Sequence, residues 1–396
     1  MSPRPVRVLQ VIDTFSMGGA ETWLIEALRL WAKNGDVKAD FLMTSGNRGV
    51  FDDEAKALGA TLHYLPYNRR SLPGFVSGLR QILRQGKYDA IHDHQEYSAG
   101  WHFFMGGHYL PQRRIIHIHN PSFGIRMTYG VTPSRRVIAA IGEYFVARYS
   151  THITGTSSQI LTEFGFDQPA FNHIPKAALH CGFDPDRFKG TTPEARAALR
   201  REFAWPVDTK VILMAGRMDE SPDVGHAKNH KNTGFAVDVI VAAMKRDPGV
   251  CAVFAGKHSV ALPVLQGRIA EQGLSERFAF PGIRTDIAKM MLGADLLMFP
   301  SRGEGLGMVA VEAQAAGLPV LASTAVPREC VVIPGMVAFK EVEAGPEAWA
   351  DEVTRLLQMP RDAEKANMSV AASPFAIAQS AQYLSELYRS GALPPQ

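Results

Sequence analysis

Short, almost continuous apolar runs alternate with longer helix-patterned stretches along this chain, and that alternation happens twice. The first series is "VRVLQVI" (6–12), "VKADFLM" (37–43), "YDAIH" (88–92), "RIIHI" (114–118) and "THITG" (151–155). The second is "KVILMAG" (210–216), "VCAVFAG" (250–256), "FAFPG" (278–282), "DLLMFPS" (295–301) and "PVLAS" (319–323). Strands that are apolar throughout, rather than every second residue, belong to parallel sheet covered by helices on both faces. The pattern pauses in the polar, proline-bearing stretch 181–209. The expectation is therefore an α/β chain of two Rossmann-like, doubly wound domains over 1–180 and 210–372. A linker over 181–209 joins them, and a last amphipathic helix within 373–396 is expected to pack back on the first domain. A length of 396 residues fits two cores better than one.

Composition narrows the function classes. The chain is 46% hydrophobic and 20% charged with a formal net charge of +3, a globular balance that does not call for nucleic acid as a partner. Three widely spaced cysteines, Cys181, Cys251 and Cys330, outline no disulfide framework, which points to a reducing, cytoplasmic setting. No run approaches the ~18 apolar residues of a spanning helix.

In open α/β sheets ligands gather beyond the carboxyl ends of the strands, and the chemistry-bearing motifs lie there. The densest is "FPSRGEGLGMVAVEAQAAGLPVLAS" (299–323). Its glycines allow close backbone approach, and the helix that follows offers free N–H groups to an anion such as phosphate. Glu304 and Glu312 lie eight positions apart, ~12 Å if every step were helical. Paired hydrolytic carboxylates sit at ~5–9.5 Å, so the two are better read as gripping different parts of one long ligand.

This segment resembles the signature of the retaining, two-domain (GT-B fold) glycosyltransferases of family 4, also called group 1, whose two glutamates are separated by seven residues. The resemblance implies that Glu304 contacts the donor sugar and Glu312 the ribose of a nucleotide. It also implies that Gly305, Leu306, Gly307 and Met308 lie over the diphosphate, and it sets the expected groove between the two domains as the site.

Motifs elsewhere in the chain are similar to that family's as well. "TFSMGGAETWL" places Gly18 and Gly19 at a strand-to-helix turn, similar to the family's GGAE-like turn facing donor phosphate and acceptor. It is not a GxGxxG fingerprint, which disfavours a nicotinamide dehydrogenase. In "AGRMDESPDVGHAKNHKN", Arg217 and Lys228 match the family's diphosphate-binding arginine and lysine, with Lys231 as a competitor because the spacer is long. Arg284 falls where relatives hold the nucleobase, a surface arginine being the plain alternative. His119, before Asn120-Pro121, matches the histidine that faces the donor sugar, and His117 reads as a buried histidine. His92 and His94 share a strand face, as a metal pair could. No acidic or cysteine residue sits at companion spacing, so no zinc site is expected. The Asp184-Pro185-Asp186 sequence resembles the family's interdomain turn rather than a metal motif, so no metal or other cofactor is expected.

Residues 121–136 match no motif and read as an acceptor loop. Arg135, Arg136 and Arg148 there and in the next helix read first as a solvated face and second as peripheral contact with an anionic membrane surface. The function implied is transfer of a sugar from a nucleotide-diphosphate sugar, a UDP-sugar foremost, to an acceptor hydroxyl in polysaccharide, glycolipid or metabolite synthesis. A sugar-nucleotide epimerase or hydrolase, or a non-catalytic sugar-nucleotide-binding protein, are the alternatives a shared fold leaves open.

Overall fold

A computed structural model describes residues 4–122, 132–223, 226 and 229–395. The chain divides into two units, 1–184 with 374–396, and 185–373.

Among the described residues the first unit holds seven parallel strands: β1 Val6–Ile12, β2 Val37–Met43, β3 Leu62–Tyr64, β4 Ala90–Asp93, β5 Arg113–Ile118, β6 His152–Gly155 and β7 Lys176–Ala178. Their order is β3-β2-β1-β4-β5-β6-β7. The chain runs outward from β1 to one edge, returns, and runs to the other, which places the switch point between β1 and β4. Leu9, Val11, Ile91, Ile116, Ile118 and Ile153 from the central strands meet Phe75, Phe103 and Val146 from the helices in one core. The C-terminal helix Ile377–Ser390 belongs to this unit. Its buried positions, Ile377, Ser380, Ala381, Leu384, Ser385, Leu387 and Tyr388, recur at helical spacing. Trp23 and Trp31 donate their indole N–H groups to Ser380 and Ser385 at 2.8 and 3.1 Å.

The second unit holds six among its described residues: β8 Lys210–Ala215, β9 Val250–Ala255, β10 Phe278–Gly282, β11 Leu296–Phe299, β12 Val320–Ser323 and β13 Val337–Lys340, ordered β10-β9-β8-β11-β12-β13. Its core gathers Ile212, Val250, Ala252, Leu296 and Leu321 with Phe235, Ile240 and Trp349. The stretch 181–209, expected as a linker, is folded instead. Beyond Asp184 it forms part of this unit, and helix Thr192–Glu202 is fixed by the fully buried Arg200. That guanidinium donates to the Thr209 and Gly293 carbonyls and to Asp295 Oδ2 at 2.5 Å. A buried charge held this way is costly to break, and the polar sequence had hidden it. Among the described residues no helix is long and apolar enough to cross a membrane.

Candidate active site

In the second unit, three strand ends carry glycine: Gly216 after β8, Gly256 after β9 and Gly282 closing β10, all at positive φ. Gly256 donates to the Gly282 carbonyl at 2.8 Å, and a Cβ on Gly256 would strike the Gly216 carbonyl. Backbone thus lies open where side chains would otherwise crowd the carboxyl edge of the sheet.

Beside this rim β11 ends in the loop that carries Glu304. Gly307 turns the loop into helix Met308–Ala315 with φ 89°, where a Cβ would sit 2.9 Å from the Phe299 ring and from Val326. Gly305 and Leu306 are buried, while Met308 and Glu312 are half-buried, Met308 opening the helix and Glu312 lying one turn further on. Glu304 reaches across to Lys231, whose Nζ donates to Oε1 at 2.6 Å; the two side chains are 12% and 21% exposed. The same ammonium stands 5.6 Å over the Phe299 ring, a favourable cation–π placement.

Lys231 is held there by a residue that sequence reasoning passed over. Asp219, 6% exposed, accepts backbone N–H bonds from His230 and Lys231 on Oδ1 at 2.8 and 2.9 Å, and from Thr233 on Oδ2 at 2.9 Å. A single carboxylate therefore shapes the loop that leads into helix Thr233–Arg246. Arg302 adds a backbone bond to the His230 carbonyl at 2.9 Å. Arg217 is exposed on the rim, with no hydrogen bond or ion pair among the described residues. Lys228 lies outside the described residues. Arg284 does not join this group. Its guanidinium is clamped by Glu202 (2.5 and 3.2 Å) and Asp286 (2.8 Å twice), and these carboxylates push its pKa up. The side chain expected at a nucleobase is spent on ion pairs.

In the first unit Gly18 caps helix Gly19–Asn34 in extended conformation. Its missing Cβ leaves the space that the Glu21 carboxylate occupies, a third-position glutamate folded back over its own helix start. Burial raises the Glu21 pKa.

His119 is turned inward. Its Nε2 meets His94 Nδ1 at 2.8 Å, and its Nδ1 lies 3.7 Å from Cys181 Sγ. His94 Nε2 meets Gln10 Oε1 at 2.9 Å, and Gln10 Nε2 donates to the Tyr388 hydroxyl, which meets His92 Nδ1 at 2.7 Å. Because Gln10 Oε1 only accepts, His94 carries its hydrogen on Nε2 and takes one from His119 on Nδ1. Burial pushes the His119 pKa down to about 3 and those of His92, His94 and His117 well below normal. All four are neutral imidazoles. The fold also brings Cys181 beside this group, a neighbour that spacing alone could not reveal.

Residues 17–187 match the model described as Glycosyltransferase Family 4, and residues 209–359 match the one described as Glycosyl transferases group 1. This chain belongs to the group 1, family 4 type of glycosyltransferases. A D-inositol 3-phosphate glycosyltransferase of Streptomyces griseus is 27% identical, over 93% of this chain and 85% of its own. One of Mycobacterium bovis is 33% identical over 73% of this chain and 58% of its own. Anabaena Alr3699/HepE, solved in complex with UDP, superposes with a TM-score of 0.75 at 18% identity, over 98% of this chain and 100% of its own. The two parallel-sheet units are those of a GT-B glycosyltransferase.

Proposed function

We propose that the enzyme transfers a sugar, with retention of anomeric configuration, from a UDP-sugar to an acceptor hydroxyl, and that it does so without a catalytic metal. The observation that carries this reading is the Lys231–Glu304 pair at 2.6 Å beside the glycine rim and the exposed Arg217. A cation with a carboxylate at its side can serve both halves of such a donor: the cation takes the diphosphate, and the freed carboxylate takes sugar hydroxyls. Lys231 takes the phosphate role here in preference to Lys228, because Asp219 and Glu304 hold it in place.

Arg217, Lys231 and the first-turn N–H groups of helix Met308–Ala315 would disperse the charge growing on the departing diphosphate. Glu304 would orient the sugar, and Glu312 the ribose. The nucleobase would lie near Gly282 on backbone groups, since the Arg284 side chain is engaged. For retention the acceptor enters on the face the diphosphate leaves, and a phosphate oxygen takes its proton. With both His119 nitrogens turned inward, its part is to shape the sugar pocket rather than to act as a base. Gly18 and Gly19 remain the first unit's contacts to phosphate or acceptor. HepE, solved with UDP and with UDP-glucose, supports the choice of uridine. The names of the Streptomyces and Mycobacterium relatives put inositol phosphates on the acceptor panel beside polysaccharide and glycolipid acceptors.

The test is a panel of UDP-sugars and acceptors assayed in EDTA, with anomeric configuration read by NMR. Transfer with retention, lost by ~100-fold or more in Glu304→Gln, is expected. Sugar release or isomerisation from donor alone would instead identify a hydrolase or epimerase.

A further inference from the structure

Helix Pro133–Tyr149 of the first unit is packed along one side only. Its buried residues are Gly142 and Val146, and it meets helix Glu96–Gly106 so closely that a Cβ on Gly100 would strike the Gly142 carbonyl. On the side turned away, Val137, Ile141 and Tyr144 recur at the four- and three-residue spacing of one helical row. Ile138 lies beside that row, and Phe104 adjoins it from the neighbouring helix, stacked on Phe145 at 4.4 Å. These five side chains are 38–63% exposed. Thirteen large apolar side chains are exposed among the described residues, and five of them gather here. Scattered singly they would need no explanation; gathered, they mark an interaction surface.

The surface is also held in place from behind. Trp101 donates its indole N–H to the Ile138 carbonyl at 3.0 Å and sets its ring edge-on to Phe104 and Phe145, so docking would need little ordering of these side chains. Charge decides what fits. Arg135 and Arg136 stand in the first turn of the helix and Arg148 in its last, all three exposed. Glu143, the only carboxylate in the helix sequence, is half-buried, and burial raises its pKa. A second copy of the chain is a poor occupant. About a twofold axis the helix would meet itself parallel or antiparallel, and arginine would face arginine in both arrangements. An anionic lipid surface matches each part: aliphatic side chains enter the acyl boundary, aromatic rings sit at headgroup depth, and guanidinium groups pair with phosphate.

We propose that Phe104, Val137, Ile138, Ile141 and Tyr144 form a membrane-docking face that seats the first unit on a bilayer carrying anionic phospholipid. The contact is peripheral: the helix lies in the plane of the interface, and no helix among the described residues is long and apolar enough to cross. The apolar side chains supply the burial, and the arginines direct it to negatively charged surfaces. The face is part of the first unit alone and does not depend on the function proposed above.

The test sediments the full-length chain with vesicles of phosphatidylglycerol and phosphatidylcholine, or of phosphatidylcholine alone. Binding to the first, weakened by high salt, and little binding to the second are expected. Ile141→Ser/Tyr144→Ser should lower vesicle affinity ~tenfold or more. Arg135→Glu/Arg136→Glu should lower it by a similar factor, each variant keeping its Tm within a few degrees of wild type because the sites are exposed. Val260→Ser, at an exposed apolar residue of the second unit, should leave binding unchanged. The three native cysteines are buried, so Ile141→Cys can be labelled alone with an environment-sensitive dye, whose emission should shift to the blue on the vesicles. Wild-type chain that fails to sediment with phosphatidylglycerol vesicles would overturn the proposal, and so would binding that Ile141→Ser/Tyr144→Ser retains in full. A stable dimer in light scattering, lost in that same variant, would assign the face to a second copy and overturn it as well.

Discussion

The polar centres of the two units are built on opposite principles. In the first unit, histidines, Gln10 and Tyr388 are buried and neutral, joined by hydrogen bonds. In the second, a lysine and a glutamate form a partly exposed ion pair, positioned from behind by a buried aspartate. Neutral groups sealed from water organise a core and resist ionisation. A charged pair at a strand end can exchange its internal partner for a ligand at little cost, because desolvation is incomplete. The difference teaches that changes in the second centre should be read first in activity, and changes in the first centre first in stability.

The largest expected effect breaks that division if it fails. Lys231→Ala should lower kcat/KM by ~100-fold or more with a Tm within a few degrees of wild type, while Lys228→Ala changes turnover by less than ~10-fold, about 1.4 kcal/mol. Equal losses in both would remove Lys231 from its assigned place. Next comes Asp219→Ala, which strands the N–H groups of His230, Lys231 and Thr233. It should cost ~2–4 kcal/mol in urea denaturation and also weaken nucleotide binding, so that it belongs to both categories.

Acid should separate the units. A histidine whose folded pKa lies below its unfolded value of about 6.5 binds fewer protons in the native state, so stability rises with pH across that window and is lost as pH falls below it. His92, His94, His117 and His119 all shift this way. Hydrogen exchange followed by mass spectrometry should show first-unit peptides losing protection between pH 7 and 5 before second-unit peptides do; simultaneous loss would blur the contrast. A smaller effect of opposite sign belongs to Glu96, whose pKa burial raises to about 7. Its native state holds a proton that the unfolded chain releases near pH 4.5, so its contribution to stability falls as pH rises from there to 7. Glu96→Gln should therefore gain stability relative to wild type over that interval, with a constant gap above it, measurable by urea melts at several pH values.

Legibility in the sequence followed locality. The loop from Phe299 to Gly307 and the helix after it are one continuous stretch, so the glutamate, the glycines and the helix start could be read together. Central strands announce themselves because both faces are buried. The strands that went unread, Leu62–Tyr64, Lys176–Ala178 and Val337–Lys340, are three or four residues long and lie at sheet edges, where less apolar sequence is needed. Asp219 was invisible because its partners are backbone N–H groups, which leave no mark in side-chain spacing. Cys181 comes to His119 from 62 residues away, and Arg284 looked available because Glu202 reaches it from 82 residues away. Charge in a sequence does not tell whether the fold has already used it.

Titration of UDP into the wild-type enzyme, Arg217→Ala and Lys231→Ala, by calorimetry in EDTA, tests the central claim most directly. The account predicts saturable binding of one UDP per chain in the absence of any divalent ion, weakened at least tenfold in each variant. Binding that appears only when Mg2+ is added, or that both variants retain at wild-type affinity, would contradict it.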